Sequence, residues 1–211
     1  PNALIFGFTG TPIDKGPTGI STFRTFCPGG EKYLDKYPIR QSIADGSTVP
    51  IYYLPRLVSY HIDKETLDRE FFNLTSDLAE EEQERVMEKA AKLKEVLKSK
   101  DRVGKVAKDI AEHFKAHVEP NGFKAQLVAM DREACALYKE ELKKYLPDDW
   151  SKVIYTPARY DTELLRRYHL PKEEQLRIAR VDYQKQDENP RIIIVTDMLL
   201  TGFDAPVEQV M

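Results

Sequence analysis

The chain has 211 residues, of which 41% are hydrophobic and 32% are charged, and its formal net charge is −3 at pH 7. These values are typical of a globular chain that holds one good-sized domain, or one domain with pieces of another. They exclude a membrane-spanning helix, because no apolar run approaches about 18 residues. They also argue against a protein that coats nucleic acid through a general basic excess.

The first predicted element is an apolar strand over residues 3–8, which ends in the turn Thr9-Gly10-Thr11-Pro12. Gly10 permits backbone angles that other residues resist, and Pro12 fixes the direction in which the chain leaves the turn. Gly, Pro, Thr and Ser are frequent in the residues that follow, which predicts an irregular stretch to about residue 36.

The middle of the chain is predicted to be mainly helical. A short helix is expected within residues 37–43, and residues 49–58 predict a strand, which its two prolines reduce to an edge or broken strand. Apolar residues at steps of three and four predict helices over 77–98 and about 102–117, and Pro120-Asn121-Gly122 ends the second. Both helices are interpreted as scaffold, and a partner-binding surface on them is the alternative.

From residue 123 onward the pattern alternates between strands and helices. The predicted strands cover residues 124–130, 153–156 and 191–195, and the predicted helices cover residues 132–145 and 171–184. Strands that are separated by single helices form parallel sheets with right-handed crossovers. The sequence therefore predicts an α/β fold with a parallel sheet flanked by helices.

The loop Thr196–Pro206 follows a β-branched strand, at the sheet edge where open α/β proteins place their working residues. The hydroxyl of Thr201 and the backbone amides near Gly202 suit an anionic phosphate oxygen. Asp197 and Asp204 could act as a general base pair or as metal ligands. An alternative for Asp197 and Thr201 is that they cap a following helical turn.

The two other connections after strands carry further candidates for phosphate binding. Arg132 opens the helix that follows residues 124–130, and Asp131 before it could be the N-cap of that helix. Thr156 follows the next strand, and its hydroxyl could contact a phosphate. Like the loop Thr196–Pro206, each of these residues follows a predicted strand directly, where open α/β sheets place their working residues.

The cysteines and histidines give no metal-binding pattern. Cys27 and Cys135 are far apart in the sequence, so two reduced thiols in a cytoplasmic protein are expected. His113 and His117 lie four residues apart, a spacing that can bind zinc, but no third ligand is evident near them. The sequence therefore predicts no metal site.

Three segments, in order, resemble the restriction (R) subunits of type I restriction-modification enzymes, which are ATP-driven DNA translocases and endonucleases. GFTGTP at residues 7–12 resembles helicase motif III, and IADGSTVPIYY at residues 43–53 resembles the entry into the second motor lobe. TDMLLTGFDAP at residues 196–206 resembles motif V of superfamily two helicases. The three segments span nearly the whole chain.

This resemblance implies a domain organisation. Residues 1–36 would be the end of the first motor lobe and a linker. Residues 37–211 would be the second RecA-like helicase lobe, truncated at its C-terminus, with a helical hairpin inserted at about 77–118. The resemblance implies ATP coupling for Thr9, Gly10, Thr11, Pro12, Gly202 and Asp204, and DNA contact for Arg132, Thr156, Asp197 and Thr201. Pro157 departs from the Tyr-Ser-Gly pattern of the family, which loosens the correspondence at Thr156.

The cofactors and partners that the resemblance implies belong to the full-length subunit. They are ATP and Mg²⁺, duplex DNA, and the modification and specificity subunits, with no membrane partner. The chain lacks the G-x-x-x-x-G-K-[ST] phosphate loop, so it is not expected to hydrolyse ATP alone. It also lacks the nuclease core that the resemblance implies for the full-length subunit, so it is not expected to cut DNA alone. The alternatives are a motor lobe of another superfamily two helicase, of the type III restriction or repair kind, and a non-catalytic protein-docking module.

Overall fold

The computed structural model describes residues 6–13, 21–27, 33–55, 97–200 and 202–211. Contacts between Cα atoms divide the chain into two compact units, Pro1–Leu57 and Val58–Met211. The domain boundary expected between residues 36 and 37 stays a prediction. No helix within the described ranges is long and apolar enough to cross a membrane.

The unit Pro1–Leu57 contains two short helices, α1 (Thr22–Phe26) and α2 (Ile39–Ala44). Ser21 caps α1, because its side-chain oxygen accepts a hydrogen bond from the backbone N–H of Arg24 at 3.4 Å. The position of α2 confirms the short helix that was predicted within residues 37–43.

Both strands predicted in this unit are wrong where the structure describes them. Residues 6–8 and 49–55 form no strand, and Ile51 is 82% exposed. A strand is stable only when a neighbour completes its hydrogen bonds, and no described residue pairs with either segment. Pro50 and Pro55 also lack the N–H groups that pairing needs. Residues 3–5 and 56–58 of these predictions lie outside the described residues.

The unit Val58–Met211 is built on a four-stranded parallel sheet. The strands are β1 (Lys124–Val128), β2 (Ser151–Val153), β3 (Ile192–Val195) and β4 (Glu208–Val210). Their order is β2-β3-β1-β4, and all three pairings are parallel. The parallel sheet and its flanking helices confirm the predicted α/β fold of the RecA-like class.

The strands differ from the prediction in their bounds and in their number. Strand β2 covers Ser151–Val153 instead of residues 153–156, because Ser151 pairs with Ile192 in the register that β3 imposes. Strand β1 ends two residues earlier than predicted, and β3 begins one residue later. Strand β4 was not predicted, because Glu208–Val210 is short and only partly apolar. It forms because Lys124 and Ala125 of β1 pair with it along the free side of that strand. Sheet partners therefore decide where β2 begins and why β4 forms.

One face of the sheet is covered by α3 (Lys100–His113) and α4 (Arg132–Leu142). The helix α3 continues through one π-helical turn, Phe114–Val118, and ends at Gly122, whose φ of 74° lies in the left-handed region. These bounds confirm the predicted helix at about 102–117. The predicted helix over 77–98 lies almost wholly outside the described residues, so the helical hairpin is described only in its second half.

The other face of the sheet carries α6 (Lys172–Arg177), which continues as a π-helical turn over Ile178–Asp182. A short helix, α5 (Glu163–Arg166), lies between β2 and α6 in the chain, and its Leu165 packs in the hydrophobic core that includes α3 and α4. Successive residues of β3 point to opposite faces, as the strand geometry requires. Ile192 and Ile194 pack in the hydrophobic core on the side of α3 and α4, whereas Ile193 and Val195 pack in the core on the side of α6.

Lys124 is a buried cation at the start of β1. Its Nζ donates hydrogen bonds to the carbonyl oxygens of Glu188, at 2.8 Å, and Asp182, at 3.3 Å. The Nζ also lies 5.3 Å from the centroid of the Tyr183 ring. Burial lowers the pKa of Lys124 from 10.5 to about 8.

We expect the free energy of unfolding to rise by up to about 3 kcal/mol through the titration of Lys124. This increase in the free energy of unfolding occurs between pH 8 and pH 10.5, where the unfolded lysine still binds a proton that the folded one has released. Lys124→Met, which has no titrating amine, should lose this rise. Urea unfolding across that pH window measures it, and equal pH slopes for the two proteins would contradict the expectation.

Candidate functional site

The carboxyl ends of β1, β2 and β3 form a common edge. Beyond the strands themselves, the backbone N–H of Ala129 donates to Val195 at 2.8 Å, and that of Ile154 donates to Ile194 at 2.9 Å. The three connections therefore leave the sheet side by side. Arg132, Thr156 and Asp197, the predicted DNA-binding residues that the structure describes, all lie in these connections.

Arg132 links the first two connections. Its Nη1 donates a hydrogen bond to the carbonyl oxygen of Thr156 at 3.2 Å, and its guanidinium carbon lies 5.8 Å from the ring centroid of Tyr155. The hydroxyl of Thr156 lies 3.7 Å from Sδ of Met198, the residue after Asp197. Direct contacts therefore join all three connections at this edge.

Asp161 is a buried carboxylate beneath this edge, and only 2% of its side chain is exposed. Its Oδ2 accepts hydrogen bonds from the backbone N–H of Ala158 at 2.8 Å and from Nη1 of Arg132 at 2.7 Å. Nε2 of His169 lies 2.8 Å from the same oxygen. The Ala158 N–H, followed by Arg132 and His169, lowers the pKa of Asp161 to about 2, so the carboxylate is ionised at neutral pH.

Asp161 and His169 were missed in the sequence analysis. Arg132 and Asp161 are 29 residues apart, and Asp161 and His169 are eight apart. No helix or strand spacing predicts such a cluster, because the three residues lie on connections that meet only in the folded sheet. A polar residue between a predicted strand and a predicted helix was the one available signal.

Asp131 is an N-cap, as the alternative interpretation of this residue proposed. Its Oδ1 accepts a hydrogen bond from the backbone N–H of Ala134 at 2.8 Å. Its Oδ2 also forms an ion pair with Lys98 at 3.2 Å, and Lys98 pairs in addition with Glu133. Asp131 is therefore occupied in starting α4, immediately before Arg132.

The loop after β3 exposes both of its predicted carboxylates. Asp197 and Asp204 are exposed, and Asp197 caps no helix among the described residues, so the capping alternative is wrong for it. Leu199 and Gly202 have φ angles of 64° and 69°, which place both in the left-handed region. Thr201 lies outside the described residues.

The C-terminal end of this loop is supported by contacts with Tyr183 and Gln184. The ring of Phe203 stacks on that of Tyr183, with centroids 6.1 Å apart. The carbonyl oxygen of Asp204 accepts a hydrogen bond from Nε2 of Gln184 at 2.9 Å. The backbone at Asp204 is therefore supported by the connection before β3, while its side chain faces solvent.

The turn Thr9-Gly10-Thr11-Pro12 lies in the unit Pro1–Leu57. The hydroxyl of Thr9 accepts a hydrogen bond from the backbone N–H of Thr11 at 3.0 Å. Thr9, Gly10 and Thr11 are exposed, and Pro12 is half-buried. Gly10 has no positive φ, so the expected use of its special backbone freedom is wrong. The turn is closed by a threonine side chain instead.

No group of three or more potential metal ligands occurs in the ranges that the structure describes. Both cysteines are free thiols. Burial raises the pKa of Cys135 to about 12, so this thiol is protonated and unreactive at neutral pH.

The chain is similar to known proteins along nearly all of its length. A model of the SWI2/SNF2 ATPase family matches residues 1–84. The type I restriction enzyme MjaVIIIP endonuclease subunit of Methanocaldococcus jannaschii is 33% identical over 231 residues, which cover 98% of this chain and 22% of that protein. The MjaIXP endonuclease subunit of the same organism is 35% identical over 209 residues, covering 98% of this chain and 19% of that protein.

A bacterial relative shows the same relationship. The type I restriction enzyme HindI endonuclease subunit of Haemophilus influenzae is 30% identical over 217 residues, covering 98% of this chain and 19% of that protein. No solved structure gives a significant match. The chain spans about a fifth of the length of the curated relatives it matches. It is therefore a homologue of the type I restriction enzyme endonuclease subunits, matched over one segment of their length.

Proposed function

We propose that the chain is a motor-lobe segment of a type I restriction endonuclease subunit, in which ATP hydrolysis moves duplex DNA before cleavage. The observation that carries this proposal is the contact of Arg132, Thr156 and Met198 across three connections at one sheet edge. A DNA backbone is an extended row of phosphates, and such an edge offers it a cation, a hydroxyl and backbone groups together. The similarity to restriction subunits supports the choice of DNA as the ligand.

Within this proposal the predicted site residues have two roles. Arg132 and Thr156 contact the DNA backbone, together with Thr201 of the loop after β3. Asp197 is assigned, with Thr201, to the DNA-contacting loop after β3. Coupling to the nucleotide is assigned to Gly202 and Asp204, and to the turn Thr9-Gly10-Thr11-Pro12.

ATP and Mg²⁺ belong, in this proposal, to the intact subunit, by which we mean the full-length protein that carries this segment. The described residues supply no cluster of metal ligands, and the chain has no phosphate loop. Neither group is therefore assigned to this chain alone, and the segment alone is expected to be inactive. Hydrolysis of the nucleotide supplies the free energy, and a motor lobe uses it by binding DNA differently in its two states.

The proposed partners are duplex DNA and the modification and specificity subunits of a type I complex. The DNA target would be selected by the specificity subunit. A role in DNA restriction implies the cytoplasm as the location. The acidic net charge of −3 implies that this segment alone binds DNA weakly.

The test is ATP hydrolysis by the intact subunit, assembled with its modification and specificity partners, in the presence and absence of unmodified target DNA. Strong stimulation by unmodified DNA, with little stimulation by modified DNA, is expected. Stimulation that does not depend on modification would favour another superfamily two helicase. No stimulation in a folded complex would contradict the motor proposal and favour a docking module.

A further inference from the structure

The Asp161 carboxylate lies next to the proposed DNA contact, and its Oδ2 is engaged by several donors. Three donors of the chain converge on its Oδ2: the Ala158 N–H, Nη1 of Arg132 and Nε2 of His169, all within 2.8 Å. Because only 2% of the side chain is exposed, the carboxylate cannot itself reach a ligand. Its effect on a ligand must pass through the groups that it holds.

Arg132 and His169 are the two held side chains that reach solvent, and 33% and 28% of their respective side chains are exposed. Of the two, Arg132 is the one that also contacts Thr156 at the sheet edge. Within the described part of the chain, every hydrogen bond of Arg132 starts from Nη1. Nη2 and Nε therefore remain as donors. A guanidinium presents its donors in one rigid plane, so fixing Nη1 also fixes the directions of the other two.

The aromatic ring of Tyr155 completes the support. The ring is buried, its hydroxyl donates to the carbonyl oxygen of Leu165 at 2.6 Å, and the Arg132 guanidinium lies 5.8 Å from its centroid. The His169 ring packs edge-on against the same ring, with centroids 6.3 Å apart. The carboxylate and the aromatic ring together order the arginine before any ligand arrives, which reduces the entropy lost on binding.

We propose that Asp161 is a positioning residue of a phosphate-binding site, in which Arg132 contacts the phosphate through its remaining guanidinium donors. This inference rests on the proposed function, which makes the DNA backbone the expected source of the phosphate. A nucleotide would present the same chemistry. The two sources are separated by measuring DNA and ATP affinities in parallel on the intact subunit.

The decisive variant is Asp161→Asn, because positioning and simple electrostatics predict opposite results. Removal of a negative charge near DNA should tighten binding if only the charge matters. Loss of positioning should weaken duplex DNA binding about tenfold. It should also reduce the slope of log affinity against log salt by about 0.9, the value for one lost phosphate contact. Arg132→Gln should give the same two changes.

A double-mutant cycle shows whether Asp161 acts through Arg132. In the Arg132→Gln background, Asp161→Asn should have almost no further effect on DNA affinity, whereas independent roles would give additive losses. The matched control is Asp182→Asn, which removes the same charge from a pair with Arg177 at 3.0 Å in the connection before β3. This control should leave DNA affinity and salt slope unchanged.

The outcomes decide the proposal. Weaker DNA binding with unchanged ATP affinity supports a DNA phosphate, and weaker ATP binding supports a nucleotide phosphate. Tighter or unchanged binding of both ligands overturns the positioning role, even where wild-type ATP hydrolysis responds to DNA and the proposed function stands. If Asp161→Asn lowers the thermal unfolding midpoint severely, Arg132→Lys replaces it. This variant keeps the ion pair with Asp161 but lacks the planar set of guanidinium donors, and it should bind DNA severalfold more weakly. Unchanged DNA affinity would overturn the proposal.

Discussion

Replacing Asp204 with alanine should lower DNA-stimulated ATP hydrolysis of the intact subunit about 100-fold. The Asp204 side chain is exposed, while its backbone is supported by Gln184 and by the stacking of Phe203 on Tyr183. An exposed carboxylate on a supported backbone, which makes no hydrogen bond among the described residues, suits a coupling role better than a structural one. Its removal should therefore affect turnover and not folding.

The matched control for this prediction is Asp187→Ala. Asp187 is also an exposed aspartate and lies in the connection before β3, but it is not part of the loop Thr196–Pro206. The measurement is steady-state ATP turnover with saturating unmodified DNA, with circular dichroism to show that both variants are folded. A folded Asp204→Ala complex with full DNA-stimulated turnover would contradict the coupling role of this residue.

The largest effect on stability is expected from Ile194→Ala, which should lower the free energy of unfolding by about 2–5 kcal/mol. Ile194 is fully buried in β3, which pairs with β1 on one side and β2 on the other. The surrounding strands hold the backbone in place, so the lost side-chain volume leaves a cavity that relaxes only in part.

Trp150 provides the measurement, because it is the single tryptophan and lies immediately before β2. Its ring centroid is 6.1 Å from that of Phe114, so its fluorescence reports the packing of α3 and its π-helical turn against the sheet. Urea unfolding of Ile194→Ala should be compared with that of Leu176→Ala, whose side chain is 41% exposed. Equal losses of stability in the two variants would show that β3 is not central to the fold.

The parallel sheet was predictable because each of its main strands carries its own signal. Ile192–Val195 is a continuous β-branched run, and the helices between the strands show apolar residues at helical spacing. The position of Arg132, Thr156 and Asp197, each directly after a strand, was also predictable, and the pairing of parallel strands then puts their carboxyl ends at one edge. These inferences needed only local pattern and chain order.

The errors occurred where local pattern has to be completed by a partner. The segments 6–8 and 49–55 have apolar residues typical of strands but no described strand to pair with, whereas β4 has a weak pattern and forms beside β1. Strand formation depends on hydrogen bonds to a neighbour as much as on side-chain type. A sequence shows the side-chain type of each residue but does not show which neighbouring strand completes its hydrogen bonds.

The amino-acid sequence by itself determined the α/β class, the order of the main strands and helices, and the resemblance to restriction subunits. All of these depend on neighbouring residues or on motif order along the chain. The tertiary structure alone decided that Asp161 lies beneath Arg132 and that Tyr155 and His169 complete this cluster. The cluster could not be predicted because connections that are far apart in the chain become neighbours only when parallel strands pair in register.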